Sequence, residues 1–105
     1  VRSIDVETLD QRIEAGTAPL VIDIRPEADR ARAPFPEAHE VLDGNTLKAL
    51  EALPKDRPLA FLCHFGNSSR QAAEHFRNLG FREVYNIEGG IDAWSRQIDA
   101  EVPRY

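Results

Sequence analysis

The only cysteine of the chain, Cys63, stands where an apolar segment changes into a loop of small and polar residues. The preceding segment, Leu59–Leu62, is short and uniformly apolar, which is typical of a strand covered on both faces. Gly66 lies at the middle of the loop, where a residue without a side chain lets the backbone turn sharply. Ser68 and Gln71 have the spacing of a capping box, so we predict that a helix begins at Ser68 or just before it.

This arrangement of strand, loop and helix limits the chemistry that Cys63 can carry. Backbone N–H groups of the loop and the positive end of the following helix would surround its sulfur. Both features stabilise a thiolate and an anion bound to it. A cysteine at the end of an apolar strand can also be only a small buried hydrophobic residue. The glycine loop and the helix start favour a reactive cysteine, because reactive thiols occur in such environments.

Strand-like and helix-like segments alternate along the chain. We predict strands at residues 1–4, 20–24, 39–42, 59–62 and 83–87. We predict five helices. The first is capped by Asp5 and closed by Gly16, and the second covers residues 27–33. The other three have apolar stripes formed by Leu47, Leu50 and Leu53, by Ala72, Phe76 and Leu79, and by Ile91, Ala93 and Trp94. This alternation predicts an α/β fold with a parallel sheet and helices on both faces. Residues 99–105 show no clear pattern, and we predict one domain over residues 1–105.

Charge and composition exclude several classes of function. The net charge of −5 argues against a nucleic-acid partner. Residues 1–53 hold 6 Lys and Arg against 11 Asp and Glu, whereas residues 54–105 hold 7 of each, so an anion is not repelled near Cys63. No apolar run approaches the roughly 20 residues of a membrane span, and no signal-peptide pattern opens the chain. We expect a cytoplasmic protein without a membrane partner. Since methionine is absent even at position 1, we also expect a segment of a longer protein.

Further polar and aromatic residues have both structural and functional interpretations. Asp23 and Arg25 end the second strand, at the sheet edge where α/β folds bind ligands. We favour a structural ion pair between them over direct catalysis, because paired charges are commonly structural. Trp94 is expected in the core, and His39 and His75 on the surface or in packing. One cysteine and three scattered histidines predict no metal site, and we expect no cofactor.

Three motifs in register make the sequence resemble a rhodanese-like domain across nearly its whole length. They are Asp23-Ile24-Arg25, the stretch from Cys63 to Ser69, and Gly89-Gly90-Ile91-Asp92-Ala93-Trp94. The sequence most closely resembles the short single-domain thiosulfate sulfurtransferases of the GlpE type. Parts of the second half are also similar to rhodanese modules fused to bacterial monothiol glutaredoxins.

The resemblance implies a three-layer α/β/α fold with a five-stranded parallel sheet and an active-site loop from Cys63 to Ser68. In such proteins the cysteine takes sulfane sulfur from thiosulfate, forms a persulfide and passes the sulfur to cyanide or another thiol. We therefore expect a thiosulfate sulfurtransferase with Cys63 as the catalytic residue. Its partners would be a small-molecule sulfur donor and a thiol or cyanide acceptor, with a thioredoxin- or glutaredoxin-type protein as a candidate. The expected substrate-binding residues are His64, Phe65, Gly66, Asn67, Ser68 and Ser69, supported by Asp23, Arg25 and Arg70.

Individual roles within the loop follow from residue chemistry. His64 fits the substrate rim, with a surface residue or a proton carrier as alternatives, and Phe65 would shape the pocket mouth. Ser68 and Ser69 would cap the helix or bind the sulfite end of thiosulfate. Arg70 is expected to point to solvent from the first helical turn. The alternative is that Arg70 supplies positive charge to the anion.

The chain departs from the family pattern at two places. Ala33-Pro34-Phe35 replaces the usual Gly-His-Ile before Pro36-Glu37-Ala38, and the cysteine loop contains no arginine or lysine. We therefore expect weak thiosulfate binding and a different persulfide as the physiological donor. One alternative is a sulfur-relay or binding module within a larger protein. The other is a phosphatase or arsenate reductase, whose chemistry needs an arginine six positions after the cysteine, where this chain has Ser69.

Overall fold

The computed structural model describes all residues from 1 to 105 and contains one sheet of five parallel strands. The strands are β1 (Arg2–Ile4), β2 (Leu20–Asp23), β3 (Glu40–Val41), β4 (Leu59–Leu62) and β5 (Val84–Ile87), in the order β1-β5-β4-β2-β3. The helices are α1 (Val6–Ala15), α2 (Glu27–Arg32), α3 (Leu47–Glu51), α4 (Ser68–Asn78) and α5 (Gly90–Gln97). The predicted α/β class with a five-stranded parallel sheet is confirmed. None of these helices has the length and apolar character needed to cross a membrane.

The central strand β4 is buried on both faces, as its apolar sequence predicts. Ala60 and Leu62 join one core cluster, which includes residues of α1 and α5. Leu59 and Phe61 point to the opposite face and join a second cluster with residues of α3 and α4. Each fully buried leucine or phenylalanine contributes roughly 1.5–3 kcal/mol to stability. Cys63 therefore follows the most firmly held strand of the sheet.

Helix α1 begins and ends where the sequence predicts. The Asp5 carboxylate accepts a hydrogen bond from the Thr8 N–H at 2.8 Å. Gly16 ends the helix with φ of 74°, in the left-handed region that glycine adopts without strain. Val6 and Leu9 are buried and attach the helix to the sheet.

The predicted start of α4 is right, but the predicted capping box is wrong. The helix begins at Ser68, and Asn67 occupies the capping position without a side-chain hydrogen bond to the helix. Ser68 and Gln71 are both exposed. The next serine, Ser69, is fully buried, and its side chain faces the cysteine loop instead.

The buried stripe of α4 also differs from the predicted one. Ser69, Ala73 and Phe76 are buried, whereas Leu79 is 40% exposed and Ala72 is half-buried. The buried residues follow the i, i+4, i+7 spacing of one helix face. Burial of Ser69 against the loop sets this face, so the stripe starts one turn earlier than the apolar residues alone indicate.

Several aromatic residues lie where the sequence predicts. Trp94 is 1% exposed and belongs to the core. Phe35, in the segment that departs from the family pattern, is buried and packs edge-on against Trp94 with 4.9 Å between ring centres. His39 is half-buried beside Phe35, and His75 is exposed and pairs with Glu51. The substituted segment therefore fills the core rather than leaving a gap.

Candidate active site

The sulfur of Cys63 lies inside the loop that links β4 to α4. The backbone N–H of Gly66 donates a hydrogen bond to Cys63 Sγ at 3.1 Å, and Ser69 Oγ lies 3.1 Å from the same sulfur. Gly66 has φ of 89°, and a Cβ there would come within 3.0 Å of the Ile87 carbonyl oxygen. Only glycine can therefore make this turn and aim its N–H at the sulfur.

A buried hydrogen-bond network connects the sulfur to strand β5. Ser69 Oγ donates to Asn86 Oδ1 at 2.5 Å, and Asn86 Nδ2 donates to the Gly66 carbonyl oxygen at 2.8 Å. Ser69 and Asn86 are both almost completely buried. A protonated thiol donates to Ser69 Oγ, whereas a thiolate can accept from the same hydroxyl after it rotates. The network as it stands therefore fits the protonated thiol, and a thiolate requires the Ser69 hydroxyl to give up its hydrogen bond to Asn86 Oδ1.

The surroundings of Cys63 favour its ionised form. Burial by itself raises the pKa of the Cys63 thiol, but hydrogen bonds from Ser69, Ser68 and the Gly66 N–H outweigh burial. The pKa of this thiol therefore lies below its ordinary value. The nearby N-terminus of α4 acts in the same direction, because the helix dipole favours negative charge there.

We predict that Ser69→Ala raises the pKa of Cys63, since the substitution removes the hydroxyl that can donate to the thiolate. The measurement is the rate of iodoacetamide alkylation as a function of pH, whose midpoint should shift upward. Alkylation at neutral pH should slow accordingly. The matched control is Ser95→Ala, since Ser95 is also buried but its hydroxyl donates to the Val102 carbonyl. An unchanged midpoint in Ser69→Ala would show that this hydroxyl does not stabilise the thiolate.

The first turn of α5 holds the backbone of the loop. The N–H of Ile91 donates to the Cys63 carbonyl at 2.9 Å, and the N–H of Asp92 donates to the His64 carbonyl at 3.0 Å. Gly90 has φ of 56°, and a Cβ on it would lie only 2.3 Å from the Cys63 carbonyl oxygen. The glycine pair that opens α5 therefore allows the close approach that fixes Cys63.

An aromatic stack surrounds the side chain of His64, the residue that follows Cys63. The His64 imidazole lies between the rings of Phe65 and Tyr105, with 3.8 Å between ring centres on each side. His64 Nε2 is buried without a hydrogen-bond partner. Phe65 is 51% exposed and forms the outer end of the stack. Stacking rather than hydrogen bonding therefore holds the His64 ring.

Asp23 and Arg25 form a buried ion pair, the structural interpretation that the sequence favours. Arg25 Nη2 lies 2.8 Å from Asp23 Oδ2, and both side chains are 1% exposed. Arg25 Nη1 also donates to the hydroxyl of Tyr105 at 3.2 Å. The pair therefore supports the aromatic stack and is not itself open to a substrate. Removing one partner of such a pair costs about 3–5 kcal/mol, because the other charge is left buried.

The remaining predicted residues lie at the start of α4, where Arg70 points to solvent as expected. Asn67 and Ser68 are exposed at the start of α4, and the Arg70 side chain is exposed and makes none of the ion pairs of the chain. Sequence reasoning missed Asn86 and Tyr105. Asn86 carries a signal, because a polar residue inside an apolar strand needs a buried partner. Tyr105 lies in residues 99–105, which show no clear pattern, so the sequence gives no signal for its role.

Similar proteins agree with this architecture. The chain matches the rhodanese-like domain over residues 5–97. It is 34% identical over 96 residues to a sulfurtransferase of Allochromatium vinosum, and the match spans 91% of this chain and 90% of that protein. The chain therefore belongs to the rhodanese-like domain family, as its motifs predict.

Two further comparisons concern a longer protein and a solved structure. The chain is 31% identical over 97 residues to the adenylyltransferase and sulfurtransferase uba4 of Ogataea parapolymorpha, covering 90% of this chain but only 25% of that protein. The crystal structure of a rhodanese-related protein from Thermoplasma volcanium has a TM-score of 0.74 at 26% identity, with 93% of this chain and 94% of that chain covered. The same domain thus occurs alone and within a longer protein.

Proposed function

We propose that this protein is a sulfurtransferase that carries sulfane sulfur as a persulfide on Cys63. The observation that carries the proposal is the environment of the Cys63 sulfur, which accepts a hydrogen bond from Gly66 N–H and contacts Ser69 Oγ, with a lowered thiol pKa. Membership of the rhodanese-like family and the printed name of the Allochromatium relative support sulfur transfer as the reaction. The finer choice of donor, thiosulfate or a persulfide, is part of the proposal.

In the first half-reaction, the Cys63 thiolate attacks the outer sulfur of thiosulfate. A sulfur–sulfur bond forms to Cys63, the sulfur–sulfur bond of thiosulfate breaks, and sulfite leaves with the electron pair. The persulfide that remains carries negative charge on its outer sulfur. The positive end of α4 favours that charge, and the Gly66 N–H continues to donate to Cys63 Sγ. No cofactor is needed, because each electron pair stays with a reacting sulfur.

In the second half-reaction, cyanide or a thiolate attacks the outer sulfur of the persulfide, and Cys63 leaves as a thiolate. Two covalent halves predict ping-pong kinetics. The experiment is an assay of thiocyanate formation at several fixed cyanide concentrations. Parallel double-reciprocal lines are expected, and intersecting lines would contradict a free persulfide intermediate.

The rim of the site supports a persulfide donor other than thiosulfate. The loop from Cys63 to Ser68 contains no lysine or arginine, and the largest of its exposed side chains is the apolar Phe65. A thiosulfate dianion gains little from such a rim, whereas a persulfide on a peptide or protein can contact the exposed ring. We propose a thioredoxin- or glutaredoxin-type thiol protein as acceptor. Since such thiols stay reduced in the cytoplasm, we propose that location.

A sulfur-relay module within a larger protein is the second candidate function. It is favoured by the uba4 relative, in which the matching region is one quarter of the length. A relay module would accept sulfur from a protein persulfide and not from thiosulfate. The phosphatase or arsenate reductase hypothesis has less support, because the sixth position after Cys63 holds Ser69. Its hydroxyl is already bonded to the sulfur and to Asn86.

We predict that Arg70→Ala changes the KM for thiosulfate less than about twofold, since solvent and salt screen an exposed charge. Steady-state kinetics at two salt concentrations measure the effect. Arg77→Ala is the matched control, because Arg77 is also exposed on α4. A tenfold or larger increase in KM for Arg70→Ala alone would show that Arg70 contacts the anion.

A further inference from the structure

The final residues of the chain return to the cysteine loop and are fixed there by three contacts. Arg104 Nε donates to Asp92 Oδ1 at 3.0 Å, in the first turn of α5. Val102 is buried in the core and accepts a hydrogen bond from the Ser95 hydroxyl. The ring of Tyr105 stacks on His64 at 3.8 Å, nearly parallel, with 12° between the planes. This segment is thus attached to the helix that holds the loop and to the loop itself.

Tyr105 connects the loop to basic residues on the β2–α2 side of the site. Its hydroxyl accepts a hydrogen bond from Arg25 Nη1 at 3.2 Å. The guanidinium carbon of Arg32 lies 5.7 Å from the centre of the same ring. Both contacts restrict the ring, because a cation near an aromatic face is attracted to it. The Tyr105 ring therefore has little freedom to leave His64.

The imidazole of His64 depends on stacking for its orientation. Its Nε2 is buried and makes no hydrogen bond, so that nitrogen does not hold the ring in place. The two flanking rings are Phe65, which is half exposed, and Tyr105, which is fixed by the contacts above. Tyr105 is thus the more rigid of the two supports. Since His64 directly follows Cys63 and its carbonyl accepts from the Asp92 N–H, a fixed His64 ring restricts the loop that carries the sulfur.

We propose that Tyr105 is a positioning residue for sulfur transfer, which acts by holding His64 and, through it, the loop that carries Cys63. This inference rests on the proposed function. A loop that moves lets Cys63 and a bound donor adopt orientations in which the outer sulfur of the donor is not aligned with Cys63. Removal of the ring should therefore slow sulfur uptake, and removal of the hydroxyl alone should have little effect.

The experiment compares Tyr105→Ala with Tyr105→Phe. Sulfur uptake is followed by intact mass over time, and the unfolding temperature of each variant is measured. Tyr105→Ala should slow uptake about threefold to tenfold, the range expected for the loss of one aromatic pair, and Tyr105→Phe should restore it to within about twofold. In a His64→Ala background, Tyr105→Ala should have no further effect, because its action passes through His64.

The matched control is Tyr85→Ala, which removes a half-buried tyrosine that contacts Glu83, Arg2 and Arg12 instead of the loop. It should lower stability without changing uptake by the folded protein. Unchanged uptake in Tyr105→Ala, with only a lower unfolding temperature, would overturn the proposal. So would a Tyr105→Phe variant as slow as Tyr105→Ala, since that result would assign the effect to the Arg25 hydrogen bond.

A readout that needs no sulfur donor separates this proposal from the proposed function. N-ethylmaleimide alkylation of Cys63 should be at least about threefold faster in Tyr105→Ala than in the wild type, because the loop around the sulfur is no longer fixed. The ring protons of His64 should lose the chemical shifts caused by stacking. If the wild type takes up no sulfur but both changes occur, Tyr105 still positions the Cys63 loop and the sulfurtransferase proposal fails. If neither occurs, the positioning role fails.

Discussion

Cys63→Ser is expected to abolish sulfur uptake, to below roughly one-thousandth of the wild-type rate, while the domain stays folded. Serine is close to cysteine in shape, and its hydroxyl can keep the hydrogen bonds with the Gly66 N–H and Ser69 Oγ. An alcohol in this environment remains protonated and does not form a persulfide. The free energy of unfolding should therefore change by only about 1 kcal/mol, because the buried polar group keeps its partners.

Uptake by Cys63→Ser is measured as the mass gained with a sulfur donor, and folding is measured by urea denaturation. Cys63→Ala serves as the matched variant, since it removes the nucleophile and the hydrogen bonds together. Both variants should lack uptake, with alanine the less stable. Retention of uptake in either variant would contradict the assignment of Cys63, because the chain has no second cysteine.

Gly90→Ala is expected to lower the stability of the protein strongly, although it adds only one methyl group. Its φ of 56° is unfavourable for alanine, and the new Cβ would lie 2.3 Å from the Cys63 carbonyl oxygen and 2.6 Å from that of His64. Both of those carbonyls accept hydrogen bonds from the first turn of α5. Backbone strain and overpacking together should lower the free energy of unfolding by roughly 2–5 kcal/mol. Sulfur uptake should also fall, because the loop must move.

Gly16→Ala is the matched control for this experiment. Gly16 also has a positive φ, of 74°, but a Cβ there would meet nothing within 4 Å. The Gly16→Ala variant should lose only the free energy of unfolding that backbone strain costs, about 1–2 kcal/mol, and it should keep normal sulfur uptake. Urea denaturation of both variants measures the difference. Equal losses would show that the close approach of α5 to the loop contributes nothing beyond backbone strain.

The fold was predictable because its signals are local. Apolar strands that alternate with capped helices predict a parallel sheet, and the Asp5 and Gly16 caps mark α1 correctly. The place of Cys63 was also predictable, since the strand, Gly66 and the start of α4 are contiguous in sequence. The resemblance to the rhodanese-like family rests on the same contiguous motifs.

The contacts that complete the site were not predictable, because they join residues distant in sequence. Two adjacent serines follow the loop, and only the fold shows that Ser69 faces the sulfur while Ser68 is exposed. Asn86 reaches the loop from β5 because parallel strands end at the same edge of the sheet. Tyr105 meets His64 only because Arg104 and Val102 attach the final segment to α5.

The measurement that most directly tests the central claim is the intact mass of the protein after incubation with thiosulfate and, separately, with a low-molecular-weight persulfide. The mass of one added sulfur atom, located on Cys63 and lost to cyanide as thiocyanate is produced, is the predicted result. If an adduct forms with the persulfide but not with thiosulfate, Cys63 still carries sulfur and the donor is a persulfide rather than thiosulfate. If no sulfur adduct forms with thiosulfate, with the low-molecular-weight persulfide or with a protein persulfide, the claim that Cys63 carries sulfane sulfur is contradicted.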